Sequence, residues 1–190
     1  MICYSCREPV QGPVCVGCGA LQPPPPQPDP YTLLALPRRY HLDLPELEAA
    51  YRALARKVHP DRFTKRPAVE RRMALQWTAA LNDARRILKD PTRRAWWLAT
   101  GSAAPRERGG VKLPADFLQE MFDWREEEEE RPGSMRANAQ AREAALNAEI
   151  EAIFAAWEGG SGDLALVEDR LSRLKYVRGL LEERDAEHRD

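Results

Sequence analysis

The chain has 190 residues, 43% of them hydrophobic and 31% charged, with 29 Lys and Arg against 30 Asp and Glu. That length buries one or two small cores and leaves much polar helix in water. No run of about 18 apolar residues occurs, and Met1-Ile2-Cys3 lacks the basic and apolar regions of a secretory signal, so the expectation is a cytoplasmic protein that does not enter a membrane.

The near-neutral total conceals two unlike halves. Residues 110–190 hold 11 Lys and Arg against 20 Asp and Glu, which leaves residues 1–109 with 18 against 10. A basic half followed by an acidic half predicts two surfaces for two partners.

All four cysteines fall in the first 18 residues, as Cys3-x-x-Cys6 and Cys15-x-x-Cys18. Residues 1–22 therefore read as a small tetracysteine module, in which two thiolate pairs on short turns converge on one ion and Gly17 and Gly19 ease the tight backbone. Four thiolates suit tetrahedral structural Zn²⁺ and leave no coordination position open for catalysis. An iron or iron–sulfur site uses the same ligands, so the spacing leaves the metal open. A bare disulfide pair does not suit a reducing compartment. Residues 23–28, with Pro23 to Pro26 and Pro28, cannot continue a helix and read as a stiff extended spacer.

Residues 29–100 carry two helical patterns. Leu47, Tyr51, Leu54 and Val58 recur at steps of four, three and four, on a helix opened at Asp43 or Leu44 with Pro45 in its first turn. His59-Pro60 breaks it, because proline fixes its own φ and biases the residue before it away from the α region. Met73, Trp77, Leu81, Ala84 and Leu88 line a second long helix that stops near Asp90-Pro91. Two such helices joined by a short loop pack antiparallel. Residues 101–112, with Gly101 and Gly109-Gly110, read as a linker.

Residues 113–190 predict a three-helix bundle. The stripe Phe117-Leu118-Met121-Phe122 marks the first helix, ended by Pro132-Gly133. Leu146, Ile150, Ile153 and Trp157 mark the second. Gly159 to Asp163 supplies a stop and an N-cap before Leu164, Val167, Leu171, Leu174 and Leu181. The run Glu126 to Glu130 reads as a solvated face, with guidance of a basic partner as the alternative. The predicted class is all-α: a helical hairpin and a three-helix bundle behind a small tetracysteine metal-binding module.

His59-Pro60-Asp61 sits at the tip of the hairpin, with Arg52, Arg56 and Lys57 before it and Arg62, Lys65 and Arg66 after it, so it reads as an exposed basic recognition corner. A local cap by Asp61 is the plainer alternative. The stretch resembles the J-domain family on more than the tripeptide. Tyr31-Thr32-Leu33-Leu34-Ala35-Leu36-Pro37 looks like its first helix, Ala49-Ala50-Tyr51-Arg52-Ala53-Leu54 and His59-Pro60-Asp61-Arg62-Phe63 its second helix and loop, and Leu81-Asn82-Asp83-Ala84 with Leu88 its third. The resemblance implies that His59, Pro60, Asp61, Arg52, Arg56, Lys57 and Arg62 engage an Hsp70-type ATPase and stimulate its ATP hydrolysis. The basic face would steer toward an acidic surface and Asp61 would make charge-assisted hydrogen bonds there.

Leu36-Pro37-Arg38-Arg39-Tyr40-His41-Leu42-Asp43, Pro60-Asp61-Arg62-Phe63, and Asp90-Pro91 followed by Arg94-Ala95-Trp96-Trp97-Leu98 resemble the iron–sulfur co-chaperone family HscB. That likeness implies an HscA-like Hsp70 partner and an IscU-like scaffold protein bound by the bundle, with assistance to iron–sulfur cluster transfer. By residue, it places scaffold contacts at Leu118, Phe122, Asp123, Glu126 and Tyr176. Gln119 and Trp124 stand where more aliphatic residues are expected, and the i, i+4, i+8 spacing of Leu118, Phe122 and Glu126 also suits a buried stripe. Some eukaryotic relatives in this family carry a comparable tetracysteine module.

Other classes fare worse. A nucleic-acid-binding zinc ribbon is at odds with Arg7 as the one basic residue in positions 1–22. A hydrolase built on His59 and Asp61 lacks partners, since His41 and His188 are the only other histidines. The expectation is a non-enzymatic protein that binds no nucleic acid. A general J-protein for unfolded clients remains the alternative within the family.

Overall fold

The computed structural model describes residues 1–105 and 112–187, and among these the repetitive structure is helical apart from two isolated antiparallel bridges near the amino terminus. Gly109-Gly110 of the expected linker and His188 lie outside the described residues. The chain divides into two compact units, Met1–Arg94 and Ala95–Asp190.

In the first unit, α1 is Pro30–Leu34, α2 Leu44–Val58 and α3 Ala68–Lys89. Asp29 caps α1 by accepting the Thr32 N–H at 2.9 Å, with Pro30 at the first helical position. Ala35 then turns left-handed at φ 53° and the Leu36 N–H closes on the Tyr31 carbonyl, so α1 is shorter than the Tyr31–Pro37 stretch expected from sequence. α2 stops at His59, whose φ of −58° and ψ of 132° are what a residue before proline adopts. Across the hairpin, Glu48 pairs with Arg85 at 2.7 Å and the Tyr51 hydroxyl donates to Asn82 Oδ1 at 2.7 Å. One number rises as the other falls, so α2 and α3 run antiparallel. Arg85 holds the Glu48 carboxyl below its usual range by hydrogen bonding. Leu47 and Val58 meet Ala74, Trp77, Leu81, Ala84 and Leu88 in the buried set.

A fourth helix, α4 (Pro91–Thr100), follows at once. Asp90 accepts the Arg93 N–H at 2.9 Å and Pro91 opens the helix, so the dipeptide that ends α3 also starts α4. The sequence reading registers only the stop. Arg94 is buried, its guanidinium 5.0 Å from the centre of the Tyr40 ring and donating to the Leu88 carbonyl.

In the second unit, α5 (Ala115–Glu130), α6 (Ser134–Glu158) and α7 (Ala165–Glu187) form the expected three helices. Their buried faces carry Phe117, Met121 and Trp124; Met135, Ala139, Leu146, Ile150 and Phe154; and Val167, Leu171, Leu174, Val177 and Leu180. Sequence periodicity points to Ile153, Trp157 and Leu181 where the core holds Phe154 and Leu180, leaving those three half-buried. Gly133 makes the α5–α6 turn at φ 92°, and Asp163 accepts the Ala165 N–H at 2.8 Å to cap α7. The acidic run is not wholly solvated. Glu128 reaches across the turn and accepts the N–H groups of Gly133 and Met135 at 3.0 and 2.9 Å, capping α6 from the preceding helix, while Glu127 accepts from Asn138 at 2.9 Å.

Candidate functional site

His59-Pro60-Asp61 lies where α2 gives way to a 3-10 turn, Pro60–Phe63. The turn is held by backbone groups: the Arg62 N–H donates to the His59 carbonyl at 3.0 Å and the Thr64 hydroxyl to the Asp61 carbonyl at 3.1 Å. His59 Nδ1 accepts the Asp61 N–H at 3.3 Å and stands 3.5 Å from the Asp61 carboxylate. Phe63, at 5% exposure, plugs the turn into the core. The side chains of His59 and Asp61 remain 56% and 85% exposed. Arg52, Arg56, Lys57 and Arg62 are all exposed, and the Arg62 guanidinium donates to the Arg56 carbonyl at 3.1 Å. The turn thus leaves the Asp61 carboxylate in water, on a stretch of chain that also carries these exposed cations.

The four cysteines converge. Their sulfurs all lie within 4.8 Å of one another, with Cys3 Sγ 3.7 Å from Cys18 Sγ and Cys6 Sγ 3.6 Å from Cys15 Sγ. Zn–S bonds of about 2.3 Å in a tetrahedron set S···S edges near ~3.8 Å, which the Cys3–Cys18 and Cys6–Cys15 pairs match, so the donor set suits a four-coordinate ion. Each CxxC forms the same knuckle. The N–H groups of Cys3 and Cys15 donate to the carbonyls of Glu8 and Ala20, and those of Arg7 and Gly19 return to the carbonyls of Cys3 and Cys15. The bridges Ile2–Pro9 and Val14–Leu21 close the two turns. The N–H of Ser5 and the side-chain amide of Gln22 both point at Cys3 Sγ at 3.4 Å. The Cys3 thiol is lowered to about 6, first by the backbone N–H of Cys6. At Cys6 the backbone N–H of Glu8 pulls down, but the neighbouring thiols of Cys18 and Cys15 and burial push the group up to about 12.

The residue after each second cysteine has positive φ: Gly19 at 72° and Arg7 at 69°. The left-handed region costs a side-chain-bearing residue about 1–2 kcal/mol, part of which glycine returns through its freer unfolded chain. Arg7→Gly is therefore expected to tighten the module by about 0.5–1 kcal/mol. Because knuckle folding is linked to metal binding, competition against a chromogenic chelator would register this as a two- to fivefold gain in metal affinity. Weaker retention than in the parent chain would contradict the account.

The spacer of prolines does not hold the module apart from the hairpin. Glu70, 3% exposed on α3, accepts the Leu21 N–H at 3.2 Å and Arg66 Nε at 3.1 Å. Arg66 also donates to the Gly19 carbonyl at 2.9 Å, and the Trp77 indole N–H to the Gln22 carbonyl at 2.8 Å. Sequence reasoning missed Glu70, Gln22 and the indole contact of Trp77. A lone glutamate in the first turn of a helix carries no local sign that it will be buried.

On the bundle, Phe122 is 58% exposed, and Asp123 and Glu126 are exposed beside it. Asp123 accepts from the Gln119 side chain at 2.8 Å. Leu118 is half-buried one turn before Phe122. Tyr176 of α7 is half-buried and stands edge-on to Phe117, with ring centres 6.0 Å apart. The buried stripe passes through Phe117, Met121 and Trp124 instead, which accounts for tryptophan at position 124: it fills the core and leaves Phe122 on the surface.

Residues 29–97 match the family model described as the DnaJ domain. The co-chaperone protein HscB homolog of Bordetella avium is 39% identical over 125 residues, which cover 61% of this chain and 74% of that one. The homolog of Bordetella pertussis is 42% identical over 106 residues, 52% of this chain and 58% of its own length. Among solved structures, the human co-chaperone HscB superposes with a TM-score of 0.78 at 24% identity, covering 99% of this chain and 98% of the human one. HscB from Vibrio cholerae gives 0.62 at 25% identity over 84% of this chain and 97% of its own. With its exposed His-Pro-Asp turn on a DnaJ domain, followed along the chain by a helical bundle, the protein belongs to the HscB family of J-domain co-chaperones.

Proposed function

We propose that this protein stimulates the ATPase of an Hsp70-type chaperone through His59-Pro60-Asp61 and, with its bundle, brings an iron–sulfur scaffold protein to that chaperone. The observation that carries the reading is the Asp61 carboxylate, 85% exposed on a turn braced by backbone bonds. Arg52, Arg56, Lys57 and Arg62 add a cationic approach suited to an acidic ATPase surface, where they raise the encounter rate more than the final affinity. Phe122 with Asp123 and Glu126 gives the bundle an aromatic anchor beside acidic groups, a composition suited to a basic partner. The chain performs no chemistry of its own in this reading: the hydrolysis belongs to the partner. The cysteine module holds structural Zn²⁺, whose role when bound is to fix the two knuckles.

The test is ATP hydrolysis by an HscA-like Hsp70, measured with this chain added alone, with an IscU-like scaffold, or with a denatured model protein. Stimulation by the chain, raised further by the scaffold and not by the denatured protein, is the expected result. Equal enhancement by both clients would shift the assignment to a general J-protein, and no stimulation in any arm would overturn it.

A further inference from the structure

Nothing in a J-domain hairpin demands a metal site, yet here the two are joined by buried polar contacts at the foot of the loop that carries the tripeptide. We infer that Glu70 and Arg66 act as positioning residues that make the order of the His59–Pro67 loop depend on metal in the cysteine module. The functional side of this inference rests on the Hsp70 reading above; the structural side does not.

The route begins at the ligands. Cys15 and Cys18 belong to the second knuckle, and the segment that leaves it, Gly19 to Gln22, has two edges. One edge faces the module, where the Ala20 carbonyl accepts the Cys15 N–H at 2.9 Å and the Gln22 N–H donates to the Pro13 carbonyl at 2.7 Å. The other faces the end of the loop and α3, where the Gly19 carbonyl is taken by Arg66 of the loop and the Leu21 N–H and Gln22 carbonyl by Glu70 and Trp77 of α3. A second route starts at the other ligand pair. The Gln22 side chain, 1% exposed, donates to Cys3 Sγ at 3.4 Å and accepts the Tyr4 N–H at 3.2 Å, while its own carbonyl holds Trp77.

At the far end, Arg66 stands in the loop itself. Its N–H donates to the Phe63 carbonyl at 2.9 Å, Phe63 being the last residue of the tripeptide's 3-10 turn, and its carbonyl accepts from the Arg71 side chain at 2.9 Å. Arg66 thus touches the turn with its backbone and the module with its guanidinium. Glu70 makes the link exacting. A carboxylate at 3% exposure must keep its partners, and here they are Arg66, the Leu21 N–H and, from the first knuckle, the Tyr4 hydroxyl. Tetrathiolate knuckles of this size take their fold from the ion. When the ion leaves, Gly19–Gln22 loses the geometry that presents Leu21 N–H and Gly19 carbonyl. Glu70 is then left with Arg66 alone, and that pair must move toward water, taking the base of the loop with it.

The experiment compares amide hydrogen exchange in the full chain loaded with Zn²⁺ and stripped by a chelator. The reporters are the hydrogen-bonded amides of Arg62, Arg66, Glu70 and Arg71. Metal removal is expected to speed their exchange about tenfold while amides in Leu81–Leu88 and in α6 stay unchanged. In Glu70→Gln with full metal content, the same amides are expected to exchange fast already and to respond little to the chelator. Arg66→Lys, which keeps a positive charge beside Glu70 but loses the planar fork that also holds the Gly19 carbonyl, asks the same question if the buried change prevents folding. Should the loop amides of the parent chain exchange alike with and without metal, although residues 1–22 loosen, the inference fails. In a parallel ATPase assay, the stripped chain is expected to need several-fold more protein for half-maximal stimulation. If Asp61 variants stimulate normally the Hsp70 reading falls, while the exchange data still decide the coupling.

Discussion

Asp61→Asn is expected to reduce stimulation of Hsp70 ATP hydrolysis to the unstimulated rate while far-ultraviolet circular dichroism stays that of the parent chain. The asparagine keeps the size and shape of the aspartate and removes only its charge. The contacts that shape the turn survive, because they use the backbone of position 61: its N–H to His59 Nδ1 and its carbonyl to the Thr64 hydroxyl. The side chain is 85% exposed, so stability should change by no more than about 0.5 kcal/mol, or roughly 2 °C in midpoint for a chain of this size. At an interface the balance is reversed. Losing one member of a desolvated, hydrogen-bonded charge pair costs about 2–5 kcal/mol, a factor of roughly 30 to several thousand in affinity. Stimulation within twofold of the parent would remove the tripeptide from the mechanism.

The second large effect is predicted for Phe122. Phe122→Ala should weaken binding of an IscU-like scaffold by about 2 kcal/mol or more, roughly thirtyfold, as expected of a central aromatic anchor. It should leave the thermal midpoint unchanged, since the ring is 58% exposed and alanine is the best helix former. Phe117→Ala, five positions earlier, supplies the contrast. That ring is 1% exposed, edge-on to Tyr176 and flanked by the guanidinium groups of Arg142 and Arg173 at 5.8 and 5.4 Å. Its loss should cost about 3–5 kcal/mol in stability. Calorimetric titration with the scaffold, beside thermal melts of both variants, separates the two roles. Unaltered scaffold affinity for Phe122→Ala would place the client surface elsewhere.

The parts of this molecule that local chemistry controls could be read from the chain. His59-Pro60 had to interrupt α2, Gly133 had to turn between α5 and α6, and two CxxC pairs eight residues apart had to face each other if they were to share an ion. Tyr51, read from the sequence as part of the apolar face of its helix, and Asn82, named only within the J-domain resemblance, prove to be hydrogen-bond partners across the hairpin. Legibility failed where two neighbouring apolar residues competed for one inward position. In a helix of 3.6 residues per turn, a step of three or four from Ile150 reaches Ile153 or Phe154, and only tertiary packing, which buries Phe154 fully, selects the phenylalanine. Asp90-Pro91 failed differently: it ends one helix and opens the next, and periodicity across so short a second helix is faint. The docking of the module was beyond reach because its contacts, Leu21 to Glu70 and Gln22 to Trp77, join residues 49 and 55 positions apart.

Those same separations impose an order on synthesis. The four sulfur ligands lie within the first 18 residues and the knuckle bonds span only a few residues each, so an ion can be captured while the rest of the chain is still being made. Glu70 and Trp77 are translated some fifty residues later. A chain made short of metal would thus complete its hairpin first and seat its amino terminus against Glu70 and Trp77 only once the ion arrived.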